Sequence, residues 1–141
     1  MAKPRITYRG VVYPWECDTM GHFTTRNYMV MFDNAGWHFL HEIGYDPDFI
    51  SERKIGWADV SHHIEYLKEV HAGALLVIES KPVRIGGKSV EYQLEMKSVK
   101  GDEIYARLTA VTVQFDLEKR CAIPVLDEIR EKVVAWIGDA A

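Results

Sequence analysis

Asp18, Gly21 and His22 fall within five residues of one another, between a β-rich run and the strongest helical pattern in the chain. A carboxylate placed there can attack an electrophilic carbon or take a proton from water. The first N–H groups of the following helix have no intrahelical acceptor, so they can stabilise an oxygen that gains negative charge. His22 adds an imidazole that can orient or polarise a substrate. The stretch from Trp15 to Tyr28 is therefore the candidate site, with Asp18 as nucleophile or general base. A bland reading stands beside it: an Asp before a helix is more often a turn or capping residue, and a lone His more often a turn or interface residue.

Other chemistry-bearing residues are weaker candidates. Asp33 sits inside the helical pattern, after Phe32 on the edge of its apolar face, and reads as a solvated or interface acid that competes with Asp18. His38 and His41 stand three apart with no third ligand in view, and the adjacent His62 and His63 point to opposite sides of a strand. No metal site is expected. Ser51 and Ser61 lack a Gly-x-Ser-x-Gly context, which gives a serine triad no support.

The elements that must position these residues are legible from periodicity. Ile6 to Cys17 is β-rich and interrupted by Gly10 and Pro14, which suits an edge strand carrying a bulge. Asp18 to Phe23 is a loop, and Thr24 or Thr25 is the expected N-cap. From Tyr28, apolar residues recur at Met31/Phe32, Ala35, Phe39/Leu40 and Ile43, predicting a helix of about 17 residues. Gly44 should stop it and Pro47 prevent its resumption; Gly36 in its middle suits close packing on a flat sheet. Strands are expected over 57–69, 75–85, 89–99 and 104–115, the third with strict alternation, and the Gly-containing turns between them mark antiparallel hairpins. Pro124 should open a last amphipathic helix with Leu126, Ile129, Val133 and Ile137 on one face and Asp127/Glu128 in its first turn. One long helix cannot cover both faces of such a sheet, so a second copy of the chain is expected to cover the rest.

Composition narrows the class. The 141 residues carry a formal charge of −4, which argues against nucleic acid or an anionic membrane as the main partner. No apolar run approaches the ~20 residues of a membrane span, and the first residues lack the apolar core of a signal peptide. Two distant cysteines, Cys17 and Cys121, read as reduced thiols, and the expected location is cytoplasmic.

Together, Glu16-Cys17-Asp18-Thr19-Met20-Gly21-His22 followed by Asn27-Tyr28, the Ile64-Glu65-Tyr66 strand, the Ala72-Gly73 turn and the run from Arg120 to Pro124 resemble the hotdog-fold acyl-CoA thioesterases, in the branch of 4-hydroxybenzoyl-CoA thioesterase and its YbgC-like relatives. The resemblance implies an α+β hotdog fold over residues 1–141 as a single domain: a curved antiparallel five-stranded sheet around a long central helix, plus a C-terminal helix. It implies an acyl-CoA thioester hydrolase acting on a small or medium acyl group, with no metal or redox cofactor, coenzyme A being part of the substrate. By the same likeness Asp18 is catalytic, the Thr25 amide is the oxyanion donor with His22 as an auxiliary, and Asn27 and Tyr28 belong to the substrate site. The working unit implied is a homodimer, extendable to a homotetramer, with its active sites at the interface. The family commonly carries an apolar residue at His22 and an aromatic near Thr24 or Thr25, so the acyl specificity here is open.

The phosphates of coenzyme A call for cations, and Lys68, Arg84, Lys88 and Arg120 lie near strand ends or turns; Arg84 and Lys88 are the chosen pair. Trp15, Trp37 and Trp57 are core or interface residues by default, though two of them in an acyl pocket would favour a cationic acyl group. A hotdog hydratase or dehydratase and a non-catalytic acyl-CoA or acyl-carrier binding module are the competing readings.

Overall fold

The computed structural model describes residues 2–139. Alternation builds its sheet: along Ser89–Ser98 every second residue, Val90, Tyr92, Leu94 and Met96 among them, is buried. The long strands are β1 (Arg5–Val11), β2 (Ile55–Tyr66), β3 (Leu75–Ile85), β4 (Ser89–Ser98) and β5 (Ile104–Asp116). They pair antiparallel in the order β1-β3-β4-β5-β2, and a two-residue strand, β6 (Cys121–Ala122), adds to β5. Pro82 is accommodated in β3 because β1 reaches only as far as Ser80, leaving no ladder bond for the missing donor to break.

The long helix α1 (Thr25–Glu42, 18 residues) buries Tyr28, Met31, Phe32, Ala35, Gly36, Phe39 and Leu40. It lies over β1, β3 and β4. Phe39, fully buried, stacks on Tyr92 of β4 with ring centroids 4.3 Å apart and planes at 12°. Beside that contact, a Cβ on Gly36 would stand 3.5 Å from the Tyr92 hydroxyl, so the smallest residue of the helix faces the sheet where they come together. The helix stops as expected: Gly44 takes φ +94°, and the Gly44 and Tyr45 amides donate back to the His41 and Leu40 carbonyls. The last helix, α3 (Asp127–Gly138), packs on β3 and brings Trp136 to 5.5 Å from Phe39. This curled sheet around a central helix is the hotdog architecture, with one short strand more than expected.

Four local expectations are corrected. The first strand ends at Val11 rather than Cys17, because Pro14–Glu16 forms a 3-10 turn in which the Tyr13 amide bonds the Glu16 carboxylate at 2.9 Å. The second strand ends at Tyr66 rather than Glu69, since the Leu67 and Lys68 amides both turn to the Tyr105 carbonyl. Pro47 starts structure instead of only blocking it, as the cap of a four-residue helix α2 (Asp48–Ser51). The final helix begins at Asp127, three residues after Pro124, and its buried face is Ile129, Val133 and Trp136, with Ile137 half-buried.

Because α1 sits over one half of the sheet, two cavities open between it and β2. β2 is a twelve-residue edge strand bonded only to β5, and at its bulge Val60 is 62% exposed. No helix among the described residues is long and apolar enough to cross a membrane. Phe39→Ala should lower stability by about 3–5 kcal/mol, because the space between Tyr92 and Trp136 cannot collapse without moving the helix; urea unfolding checks this.

Candidate functional site

The candidate loop is a closed ring of hydrogen bonds. Cys17 bridges Phe23, the Asp18 amide donates to the His22 carbonyl at 2.8 Å, and the Gly21 amide donates to the Asp18 carbonyl at 3.0 Å. Gly21 has φ +81°, a conformation that a residue without Cβ adopts at little cost. Inside the ring, Oδ1 of Asp18 accepts the amides of Met20 at 2.9 Å and His22 at 3.1 Å. The second carboxylate oxygen has no hydrogen-bond partner among the described residues.

Two further ties fix this loop to its surroundings. The Phe23 amide donates to the Val70 carbonyl at 3.0 Å, drawing the segment after β2 alongside the loop. The Thr24 amide and the Asn27 side-chain amide both donate to the Glu16 carbonyl, at 2.9 and 3.0 Å, locking the start of α1 onto the 3-10 turn. Thr24 is the N-cap residue in position, yet its hydroxyl makes no capping bond. The Thr25 and Arg26 amides, first and second in the helix, donate to no acceptor among the described residues.

These parts meet in a cleft of about 390 Å³ lined by Asp18, His22, Thr25, Tyr28, Tyr66 and Lys68 among others. Tyr28 sits edge-on to Tyr66, centroids 5.0 Å apart. Burial, and then the neighbouring Tyr66 and Cys17, push the Tyr28 hydroxyl's pKa up. His22 Nε2 lies 2.6 Å from Glu69 Oε1, and the other Glu69 oxygen is 3.4 Å from His71 Nε2. His71 Nδ1 reaches the Gly21 carbonyl at 3.2 Å. Such exposed contacts contribute only about 0.2–1 kcal/mol each, so their consequence is the aim of the imidazole rather than stability.

Of the residues singled out from sequence, Asp18, His22, Thr25 and Tyr28 line one cleft. Asn27 is beside it, with its side chain committed to the Glu16 carbonyl. Arg84 and Lys88 lie at the other end of the sheet: they flank the start of β4, where Ser89 faces Val113, and Val113 faces Ala58 of β2. From Ala58 to Tyr66, at the cleft, is eight residues of strand, about 25 Å. Within one chain they do not meet Asp18. Lys68 does line the cleft but pairs with Glu103 at 2.9 Å. Arg120 is exposed in a turn, its guanidinium over the Phe115 ring. Trp15 is 75% exposed and stacked on Tyr13. Asp33 is exposed two turns along α1 and lines the other cavity. His41 pairs with Asp46 at 3.0 Å, not with His38. Sequence alone does not assign Glu69, His71 and Tyr66 to the site: Tyr66 is placed by the pairing of β2 with β5, and the other two by the tertiary Phe23–Val70, His22–Glu69 and His71–Gly21 contacts.

Residues 12–137 match the family model of the thioesterase-like superfamily. The chain belongs to that superfamily. It is 30% identical over 141 residues to an L-carnitine dehydrogenase/betainyl-CoA thioesterase of Ruegeria pomeroyi; the match takes in 99% of this chain but spans 28% of that relative's length. A Staphylococcus aureus protein solved in complex with CoA superposes with a TM-score of 0.88 at 12% identity, covering 100% of this chain and 89% of that one. A 1,4-dihydroxy-2-naphthoyl-CoA thioesterase from Synechocystis superposes at 0.78 and 18% identity, covering 92% and 95%. Both structures share the fold.

Asn27→Ala removes the donor that holds the helix start to Glu16. It should cost about 1 kcal/mol of stability and lower thioester turnover by misplacing the loop against α1, as read by thermal unfolding and a thiol-release assay side by side.

Proposed function

We propose that this protein hydrolyses an acyl-CoA thioester to the free acid and coenzyme A, with a small or medium acyl group. The observation that carries this is the pairing, in one cleft, of a carboxylate with one free oxygen and of helix amides with no acceptor. The thioester carbonyl oxygen takes the amides of Thr25 and its neighbour, whose alignment favours the negative charge of the tetrahedral intermediate. Asp18 acts through its free oxygen, either by attacking the carbonyl carbon or by taking a proton from the attacking water. In either route the C–S bond breaks, the thiolate leaves and is protonated, and water supplies the hydroxyl of the acid. Two loop amides on Oδ1 disperse its charge and fix the direction of Oδ2. His22, aimed by Glu69, faces the same cleft and orients the substrate. The superfamily, and the betainyl-CoA thioesterase in the name of the Ruegeria pomeroyi relative, support the reaction and a small acyl group.

The same reading makes the working unit a homodimer or a larger homo-oligomer. Its support is the unpaired β2 edge together with apolar side chains exposed on α1: Val30 is 53% exposed and Trp37 54%. A twelve-residue edge strand left bare is a ready template for a second chain.

Asp18→Asn keeps an oxygen for the loop amides but removes the charge. Turnover should fall by roughly 10²–10⁴-fold with little change in melting temperature. Release of free thiol from a panel of acyl-CoAs measures this. Undiminished turnover in the variant would remove the mechanism, and no release by the wild type from any acyl-CoA would leave a binding module instead. The mass in solution should be at least twice that of the chain; a strict monomer contradicts the assembly.

A further inference from the structure

The second cavity, about 230 Å³, opens between α1 and the first half of β2, and the function proposed above makes no use of it. Its walls include Trp37, Tyr45, Trp57 and Tyr92, with Asp33 and Asp59 at the same cavity and no Lys or Arg lining it. The Tyr45 and Trp57 rings meet edge to face, at 70° with centroids 5.8 Å apart. Tyr92 presents its hydroxyl against Gly36, its ring being stacked on Phe39.

The charges at this cavity are unbalanced. Asp33 makes no ion pair among the described residues, and Asp59 has only His62, at 3.8 Å. Both carboxylates act on one point: after burial, Asp59 and then Asp33 push the Tyr92 hydroxyl's pKa up. An aromatic pocket holding two acids and no permanent cation is a place of negative potential.

We propose that this cavity is the subsite for a quaternary-ammonium group on the acyl chain of the substrate. This rests on the acyl-CoA hydrolysis proposed above. A quaternary ammonium has no N–H to donate, so it needs no acceptors in the wall; it gains from ring faces and from nearby carboxylates that need not touch it. A primary ammonium would instead require three acceptors at hydrogen-bond distance. The volume, below the roughly 300–1,000 Å³ of pockets for drug-sized ligands, selects a short acyl chain. Met29 in its wall lies one helical turn, about 6 Å, beyond Thr25, so the two cavities neighbour each other along α1.

The test compares each cationic acyl-CoA with its neutral isostere: trimethylammonioacetyl-CoA with 3,3-dimethylbutanoyl-CoA, and 4-(trimethylammonio)butanoyl-CoA with 5,5-dimethylhexanoyl-CoA. The wild type should prefer the cation in at least one pair by tenfold or more in kcat/KM, and the Asp33→Asn/Asp59→Asn double variant should bring that ratio close to one. Equal rates within both pairs, or a preference kept by the double variant, would overturn the subsite. Quenching of tryptophan fluorescence by tetramethylammonium chloride, with tert-butanol as the neutral control, reads the subsite without hydrolysis. Saturable quenching that the double variant loses supports it, and none in the wild type overturns it. Hydrolysis of other acyl-CoAs but of neither cationic thioester would overturn the subsite, whereas no hydrolysis of any acyl-CoA would count against the thioesterase reading and leave the quenching experiment to decide the subsite.

Discussion

Everything at the candidate site follows from how α1 is seated on the sheet. The helix lies over β1, β3 and β4, held there by Phe39 on Tyr92 and by a glycine where the two surfaces meet. Close packing of this kind leaves little freedom to shift or roll, since rings stacked at 4.3 Å have no room to slide without opening a void. The helix is therefore committed to one half of the sheet. The other half, β5 and β2, is left with open space between strand and helix, and both cavities lie in that space.

The loop before α1 spends its polar groups in two ways. Most of its backbone is satisfied internally or against Glu16 and Val70, so the loop has a single shape. Among the described residues, one oxygen of Asp18 and the Thr25 amide remain without a partner, and both residues line the same cleft. Those unsatisfied groups are stable only because the cleft is open to water, which serves them until a substrate replaces it. A carboxylate whose partner oxygen already carries two amide bonds gives up little conformational entropy on meeting a substrate, which is the advantage of preorganisation.

Periodicity was a good guide where one face of an element is buried and the other wet. The 3.6-residue repeat of α1 and the strict alternation of β4 were legible because burial follows the backbone geometry with no help from other segments. The ends of elements were not, because hydrogen bonds to distant residues decide them: Tyr105 ends β2 by taking two amides, and the Glu16 carboxylate ends β1 by capturing that of Tyr13. The site shows the same division. Asp18, His22 and Thr25 are close in sequence and could be grouped from it, whereas Glu69 and His71 come to the loop through tertiary contacts, the Phe23–Val70 bond among them. Arg84 and Lys88 show the converse error, since proximity to a turn says nothing about which end of the sheet the turn occupies.

The placement of those two cations also bears on assembly. A cleft with Asp18 at one end of β2 and its candidate phosphate ligands about 25 Å away at the other cannot be served by both within one chain. Antiparallel pairing of β2 with β2 of a second copy would reverse that relation. The end of one strand, at Tyr66, would lie beside the start of the other, at Ile55, and the start is the end at which Arg84 and Lys88 sit. The same operation would cover Val60 and the ladder groups that the edge now exposes. In the assembly proposed above, a twofold axis through the middle of β2 would cover the unpaired edge and bring the other end of a second sheet toward the cleft. Within one chain, the lysine that lines the cleft, Lys68, is already held by Glu103.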